Sequence, residues 1–142
     1  MNIHVINGPN LNLLGKRQPE IYGSQSFEEY FEELIGQFPD HKLTYFQSNH
    51  EGALIDALHG CGFDENTAAV INPGGYTHTS IALADAIAGI EISVVEVHIS
   101  NIYEREEFRH QSYLKPNCAH SIVGQGLDGY RQAVEWLLAE KS

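Results

Sequence analysis

TAAVINPGGYTHTSIALADAIAG, residues 67–89, decides the fold of this chain. Thr67–Asn72 (TAAVIN) is a short run of small and β-branched residues and reads as a strand. Pro73-Gly74-Gly75 closes it, since proline removes a ladder donor and glycine admits turn conformations. Thr77-His78-Thr79-Ser80 then opens an Ala-rich helix that ends near Gly89. A strand leading through a turn into a helix is half of a βαβ unit, and the repeated alternation implies a parallel sheet.

The same alternation runs outward in both directions. Asn2–Asn7 (NIHVIN) reads as a strand stopped at Gly8-Pro9, and Lys42–Gln47 (KLTYFQ) as a second. Between them, residues 26–38 place Phe27, Tyr30, Phe31, Leu34, Ile35 and Phe38 at helical spacing, and Ser26 with Glu29 forms a capping box. Residues 51–60 read as another helix. Downstream, Ser93–His98 (SVVEVH) is a fourth strand, the charged stretch 103–109 a short helix, and 121–123 a short fifth strand. The final helix, 127–140, is expected to bury Leu127, Tyr130, Val134, Leu137 and Leu138. With no internal repeat or linker, residues 1–142 read as a single catalytic domain. The expected fold is α/β, a flavodoxin-like doubly wound five-stranded parallel sheet of order 2-1-3-4-5.

Composition excludes several function classes. The 142 residues carry 8 Lys+Arg against 19 Asp+Glu, a formal charge of −11. Phosphate contacts need a basic face, so no nucleic acid and no anionic membrane surface is expected as a partner. No apolar run approaches the ~20 residues that cross a bilayer. The start, MNIHVINGPN, lacks the basic and long apolar parts of a signal peptide, so a cytoplasmic location is expected. Cys61 and Cys118 are too few for a disulfide scaffold and lack metal-ligand spacing, and Cys61 reads as a small apolar filler at a helix end.

In an open parallel sheet, ligands bind beyond the carboxyl ends of the strands where the strand order reverses, here between strands 1 and 3. The loops that meet there are 8–25, 72–80 and 98–101. They are rich in amides and histidines, which with helix-start N–H groups suit an uncharged or anionic polyhydroxy ligand. His98, at a strand tip, is the first acid/base candidate, and its alternative is a histidine satisfied by local hydrogen bonds. His78 precedes the Ala-rich helix, where capping or packing is the competing role. Tyr22 is either a loop anchor or, beside Arg17, a phenolate base. A free tyrosine is only about one part in a thousand ionised at neutral pH, and a nearby cation lowers its pKa by ~1–3 units. A Gly-flanked loop carrying both could close as a lid. Arg109 pairs with a neighbouring glutamate or binds an acidic substrate. Asp85 is either solvent-facing on its helix or an interface carboxylate among small residues.

The four lysines, Lys16, Lys42, Lys115 and Lys141, fall outside the core strands, and Schiff-base chemistry wants a desolvated one. There is no Walker loop, GxGxxG turn or GxSxG elbow. Two rival classes stand beside cofactor-free acid/base chemistry. One is a flavodoxin-like binding or electron-transfer module. The other is a metal-dependent hydrolase built on His78 and His98.

GPNLNLLGKRQPEIYG at 8–23, NHEGALID at 49–56, INPGGYTHTSIALADA at 71–86, EVHISN at 96–101 and REEFRHQSY at 105–113 together resemble the type II 3-dehydroquinate dehydratases. The blocks keep the family's order and spacing nearly from end to end. Gly75 stands where the family usually has alanine, and Tyr76 is one of several residues tolerated there. The resemblance implies dehydration of 3-dehydroquinate to 3-dehydroshikimate in the shikimate pathway, by an enolate route with no metal, Schiff base or other cofactor. It makes Tyr22 the base, Arg17 the lid cation that keeps Tyr22 ionised, and His98 the acid for the departing hydroxyl. Asn10 and Asn72 orient groups and an ordered water near the enolate. Ile99 and Ser100 hold the substrate carboxylate, and His78 and Arg109 bind ring hydroxyls. Asp85 reaches a neighbouring subunit's site in a homododecamer of four trimers. Glu96, on the same strand face as His98, and Glu51 in NHEG are both candidates for orienting or charging the imidazole.

Overall fold

Five parallel strands form one sheet in the computed structural model, which describes residues 1–16, 20 and 24–141. The strands are β1 (Asn2–Asn7), β2 (Lys42–Gln47), β3 (Thr67–Asn72), β4 (Ser93–His98) and β5 (His120–Val123). Their spatial order is β2-β1-β3-β4-β5, as the alternation of elements predicts. Helices α1 (Phe27–Gln37), α2 (Glu51–Cys61), α3 (Ile81–Gly89) and α4 (Asp128–Glu140) connect or follow them.

Strand pleating sorts the core into two layers, because successive side chains point to opposite faces. Ile3, Val5, Val70, Val95 and Val97 pack on Phe27, Phe31 and Leu34 of α1 and on Tyr130, Val134 and Leu137 of α4. Ile6, Ala69, Ile71 and Val94 pack on Leu54 and Leu58 of α2 and on Leu83 and Ile87 of α3. Parallel strands covered on both faces read as unbroken apolar runs, and every residue of β3 is buried.

Helix starts follow the hydroxyl signals. The Ser26 Oγ accepts from the Glu29 N–H at 3.2 Å, the first arm of the capping box, and the Glu29 carboxylate takes its bond at 3.0 Å from the Ser26 hydroxyl rather than from the Ser26 N–H. Ser80 caps α3 by accepting from the Leu83 N–H at 2.9 Å.

Three details differ from expectation. The stretch 103–109 is not one helix but two 3-10 turns, Ile102–Glu104 and Glu107–Arg109. Asn101 caps the first turn through its side chain, and Arg105 turns to extended backbone and breaks the run. Ile35 is exposed despite its helical spacing, because the stripe through Phe27, Phe31 and Leu34 already fills the space against the sheet. Leu127 and Leu138 are only partly buried, at the margin of the α4 packing face. Among the described residues, no helix is long and apolar enough to cross a membrane.

Candidate active site

The loops after β1 and β3 are pressed together at the carboxyl end of the sheet. A Cβ on Gly8 would lie 2.5 Å from the Pro73 carbonyl oxygen, so only glycine allows this approach. Gly74, at φ +60°, takes a left-handed conformation against Pro9. Asn10 is also left-handed, at φ 69°, a region asparagine tolerates better than most side chains. Its N–H donates to the Asn49 Oδ1 at 3.0 Å, which ties the first loop to the NHEG segment.

Beside this junction opens a cavity of about 200 Å³. Asn10 comes from the β1 loop, Asn72, Gly75 and His78 from the β3 loop, and His98, Ile99, Ser100 and Arg109 from β4 and beyond. These are the loops that the strand-order reversal singles out, and seven of the predicted site residues line the cavity.

His98 is the leading acid/base candidate there. Its Nε2 lies 2.5 Å from Oε2 of Glu96, a carboxylate with no exposed surface. The Thr77 hydroxyl donates to the same oxygen at 2.5 Å, and the Ser112 hydroxyl reaches both carboxylate oxygens at 3.0 and 2.8 Å. Burial alone would raise the Glu96 pKa. The hydrogen bonds from His98, Thr77 and Ser112, with the field of His98, outweigh it and hold the carboxyl below its ordinary value. Because Nε2 is committed to Glu96, Nδ1 is the ring nitrogen left for a ligand. Of the two carboxylates expected near His98, Glu96 is therefore the partner. Glu51 instead accepts from the Ser80 hydroxyl and links α2 to the start of α3.

The His78 ring lies 6.4 Å from that of His98, centroid to centroid, and nearly parallel to it. Burial lowers its pKa most. The Gln111 carbonyl and Glu96 work against this, while His98 and Arg109 add to it. Neutral His78 donates Nδ1–H to the Gln111 carbonyl at 2.8 Å, which makes Nε2 an acceptor.

Arg109 lines the cavity, with Nε on the Glu106 carboxylate at 3.0 Å and its guanidinium over the Phe108 ring. Arg105 lines it too, its Nη1 3.5 Å from the Ser100 Oγ. Sequence reasoning passed over Arg105. The signal was there, since Arg105 and Arg109 are two of only four arginines and both fall in the REEFR stretch. Asp85 is not brought to this cavity and sits exposed on α3. Arg17 and Tyr22 lie outside the described residues. All four lysines are exposed, so none is desolvated. Among the described residues, no three His, Cys, Asp or Glu side chains gather as a metal site.

A model of the family described as "Dehydroquinase class II" matches residues 1–138. The chain belongs to the class II dehydroquinases. A 3-dehydroquinate dehydratase of Bacillus pumilus (strain SAFR-032) is 55% identical over 139 residues, spanning 96% of this chain and 93% of that protein. A catabolic 3-dehydroquinase of Botryotinia fuckeliana (strain B05.10) is 51% identical, spanning 94% and 90%. The crystal structure of a type II dehydroquinase from Butyrivibrio crossotus DSM 2876 superimposes with a TM-score of 0.91 at 48% identity over 97% of both chains.

Proposed function

We propose that this dehydroquinase removes water from 3-dehydroquinate through an enolate, with Tyr22 as base and His98 as acid, giving 3-dehydroshikimate. The observation that carries the reading is the His98 imidazole, backed by the buried Glu96 carboxylate, at the wall of a cavity that also holds two asparagines and two arginines.

The chemistry divides in two. The Tyr22 phenolate, kept ionised by Arg17, takes a proton from the carbon beside the ketone, and the C–H electrons move into an enolate. The enolate then collapses to the enone, expelling the β-hydroxyl. His98 donates its Nδ1 proton so that the group leaves as water, and Glu96 stabilises the imidazolium that does this. Tyr22 ends protonated and His98 neutral, and proton exchange with solvent restores both. Asn10 and Asn72 offer amide donors near the developing oxyanion. Ile99 and Ser100 bind the substrate carboxylate, helped by the positive potential of Arg105 and Arg109 in an otherwise acidic chain. His78 and Arg109 take ring hydroxyls. The absence of a buried lysine supports a route without an imine.

Asp85, exposed among the small residues of α3, is assigned to the adjoining subunit's site in a dodecamer of four trimers. Complementation between Asp85→Ala and His98→Ala chains in mixed oligomers tests this. For the reaction itself, the decisive assay follows the rise in ultraviolet absorbance as the conjugated enone forms, with and without borohydride. Enone formation insensitive to borohydride, and lost in Tyr22→Phe and His98→Ala, is the expected result. Inactivation by borohydride with substrate would overturn the mechanism.

A further inference from the structure

Asn72 carries a primary amide, and a half-turn of its terminal group exchanges oxygen for nitrogen without changing shape. Its hydrogen-bond partners decide which end goes where. The Gly74 N–H donates to the Asn72 Oδ1 at 3.1 Å, and the Asn72 Nδ2 donates to the Tyr130 hydroxyl at 2.9 Å. That hydroxyl has one proton, and it gives it to the Asn7 Oδ1 at 2.8 Å. Towards Asn72 it can therefore only accept. Asn7 and Asn72 are register partners on β1 and β3, so Tyr130 reaches both from above one face of the sheet. The tyrosine has no exposed surface and is held edge-on against Phe27, with ring centroids 4.9 Å apart.

We infer that Tyr130 is a positioning residue for the dehydration, fixing the Asn72 amide with one N–H left to serve the cavity. The inference rests on the role proposed above for Asn72 near the enolate. Gly74 anchors the oxygen end and Tyr130 the nitrogen end, so the amide arrives pre-oriented and pays no reorganisation as charge develops. Losing the phenolic oxygen leaves the nitrogen end unheld inside the protein, where a lost partner is not replaced by bulk water. Such an interaction acts on the reacting centre rather than on substrate binding, so its loss falls on kcat and spares KM.

The test is a double-mutant cycle on the full enzyme: wild type, Tyr130→Phe, Asn72→Ala and the double variant, with Tyr30→Phe as control. The Tyr30 hydroxyl is likewise buried in this core but stands outside the hydrogen-bond chain from Asn7 through Tyr130 to Asn72. Tyr130→Phe is expected to lower kcat about tenfold with KM within about twofold, and to cost nothing further in the Asn72→Ala background. Tyr30→Phe is expected to keep the wild-type kcat. Wild-type turnover in Tyr130→Phe, or an equal loss in both backgrounds, overturns the inference while leaving the role of Asn72 intact. Wild-type turnover in Asn72→Ala removes the role of Asn72 and this inference with it. If Tyr130→Phe does not fold, Asn7→Ala enters the cycle instead, because it withdraws the acceptor that orients the Tyr130 proton. The same tenfold, non-additive loss is expected there, and additive behaviour overturns the inference.

Discussion

Glu96 and His98 face each other at 2.5 Å from alternate positions of β4, one without exposed surface and the other at the edge of the cavity. Period-2 geometry puts both on one sheet face, so the strand itself builds the pair. An imidazole that must be charged to donate a proton needs a counter-ion that stays charged. Glu96→Gln keeps the shape and removes the charge. We expect kcat to fall by about 10²-fold or more, within the range for a lost positioned acid, with KM little changed. Steady-state kinetics at neutral pH check this, and unchanged turnover would leave Glu96 with a structural role only.

The same pair sets an acid limit on stability. The Glu96 carboxyl is held below its unfolded value, so its contribution is fully present above the ordinary carboxylate pKa of about 4.3. It is lost as pH falls through the folded-state value. The melting temperature of the wild type should therefore drop steeply on acidification below about pH 4, and that of Glu96→Gln less so. Calorimetry or thermal circular dichroism over that range reads the difference, and parallel curves would count against the assigned charge state.

His78 is held neutral chiefly by burial, with Nδ1–H on the Gln111 carbonyl. That leaves Nε2 as the acceptor for the substrate hydroxyl proposed to bind there. Its folded-state pKa lies below the unfolded value, so stability from this group is present above about pH 6.5 and is lost as pH falls through the folded value. His78→Ala should raise KM about tenfold, the worth of one hydrogen bond to substrate. Unaltered KM with reduced kcat would move His78 into the chemical step.

Asn10 combines two demands that variants separate. Its left-handed backbone is costly for alanine, by about 1–2 kcal/mol, and free for glycine. Asn10→Gly should keep wild-type stability and lose turnover, and Asn10→Ala should lose both. Thermal melts beside the enone assay distinguish the backbone role from the amide role.

Much of this was legible because local signals and global fold agree. The β3 run, its Pro-Gly-Gly stop and the Ser80 cap each specify the same βαβ unit, and the strand-order rule then selects the cavity loops. The misses lie where tertiary contacts decide. Ser112 supports Glu96 from 16 residues away, and Tyr130 meets Asn72 across 58 residues. Neither has a local pattern to announce it. The helical reading of 103–109 failed because charged residues carry helix propensity, whereas the Asn101 side-chain cap and the extended Arg105 fix short 3-10 turns.

Gly8 and Gly75 both belong to the cavity loops, and they should respond oppositely to one added methyl group. Neither has positive φ, so backbone conformation does not separate them. A Cβ on Gly8 would sit 2.5 Å from the Pro73 carbonyl oxygen, and no rotamer change relieves a clash with backbone. Gly8→Ala should push the β1 and β3 loops apart, cost about 2 kcal/mol or more, and abolish turnover by displacing Asn10 from Asn72. A Cβ on Gly75 meets nothing within 4 Å. Gly75→Ala should be neutral to stabilising, by about 0.4–1 kcal/mol, because it narrows only the unfolded ensemble. Its turnover should stay within about twofold of wild type, since the methyl enters open space and removes no polar group. Denaturant melts and enone assays on the two variants give the comparison. Equal loss in both would mean that the space beside Gly75 is filled in the working enzyme.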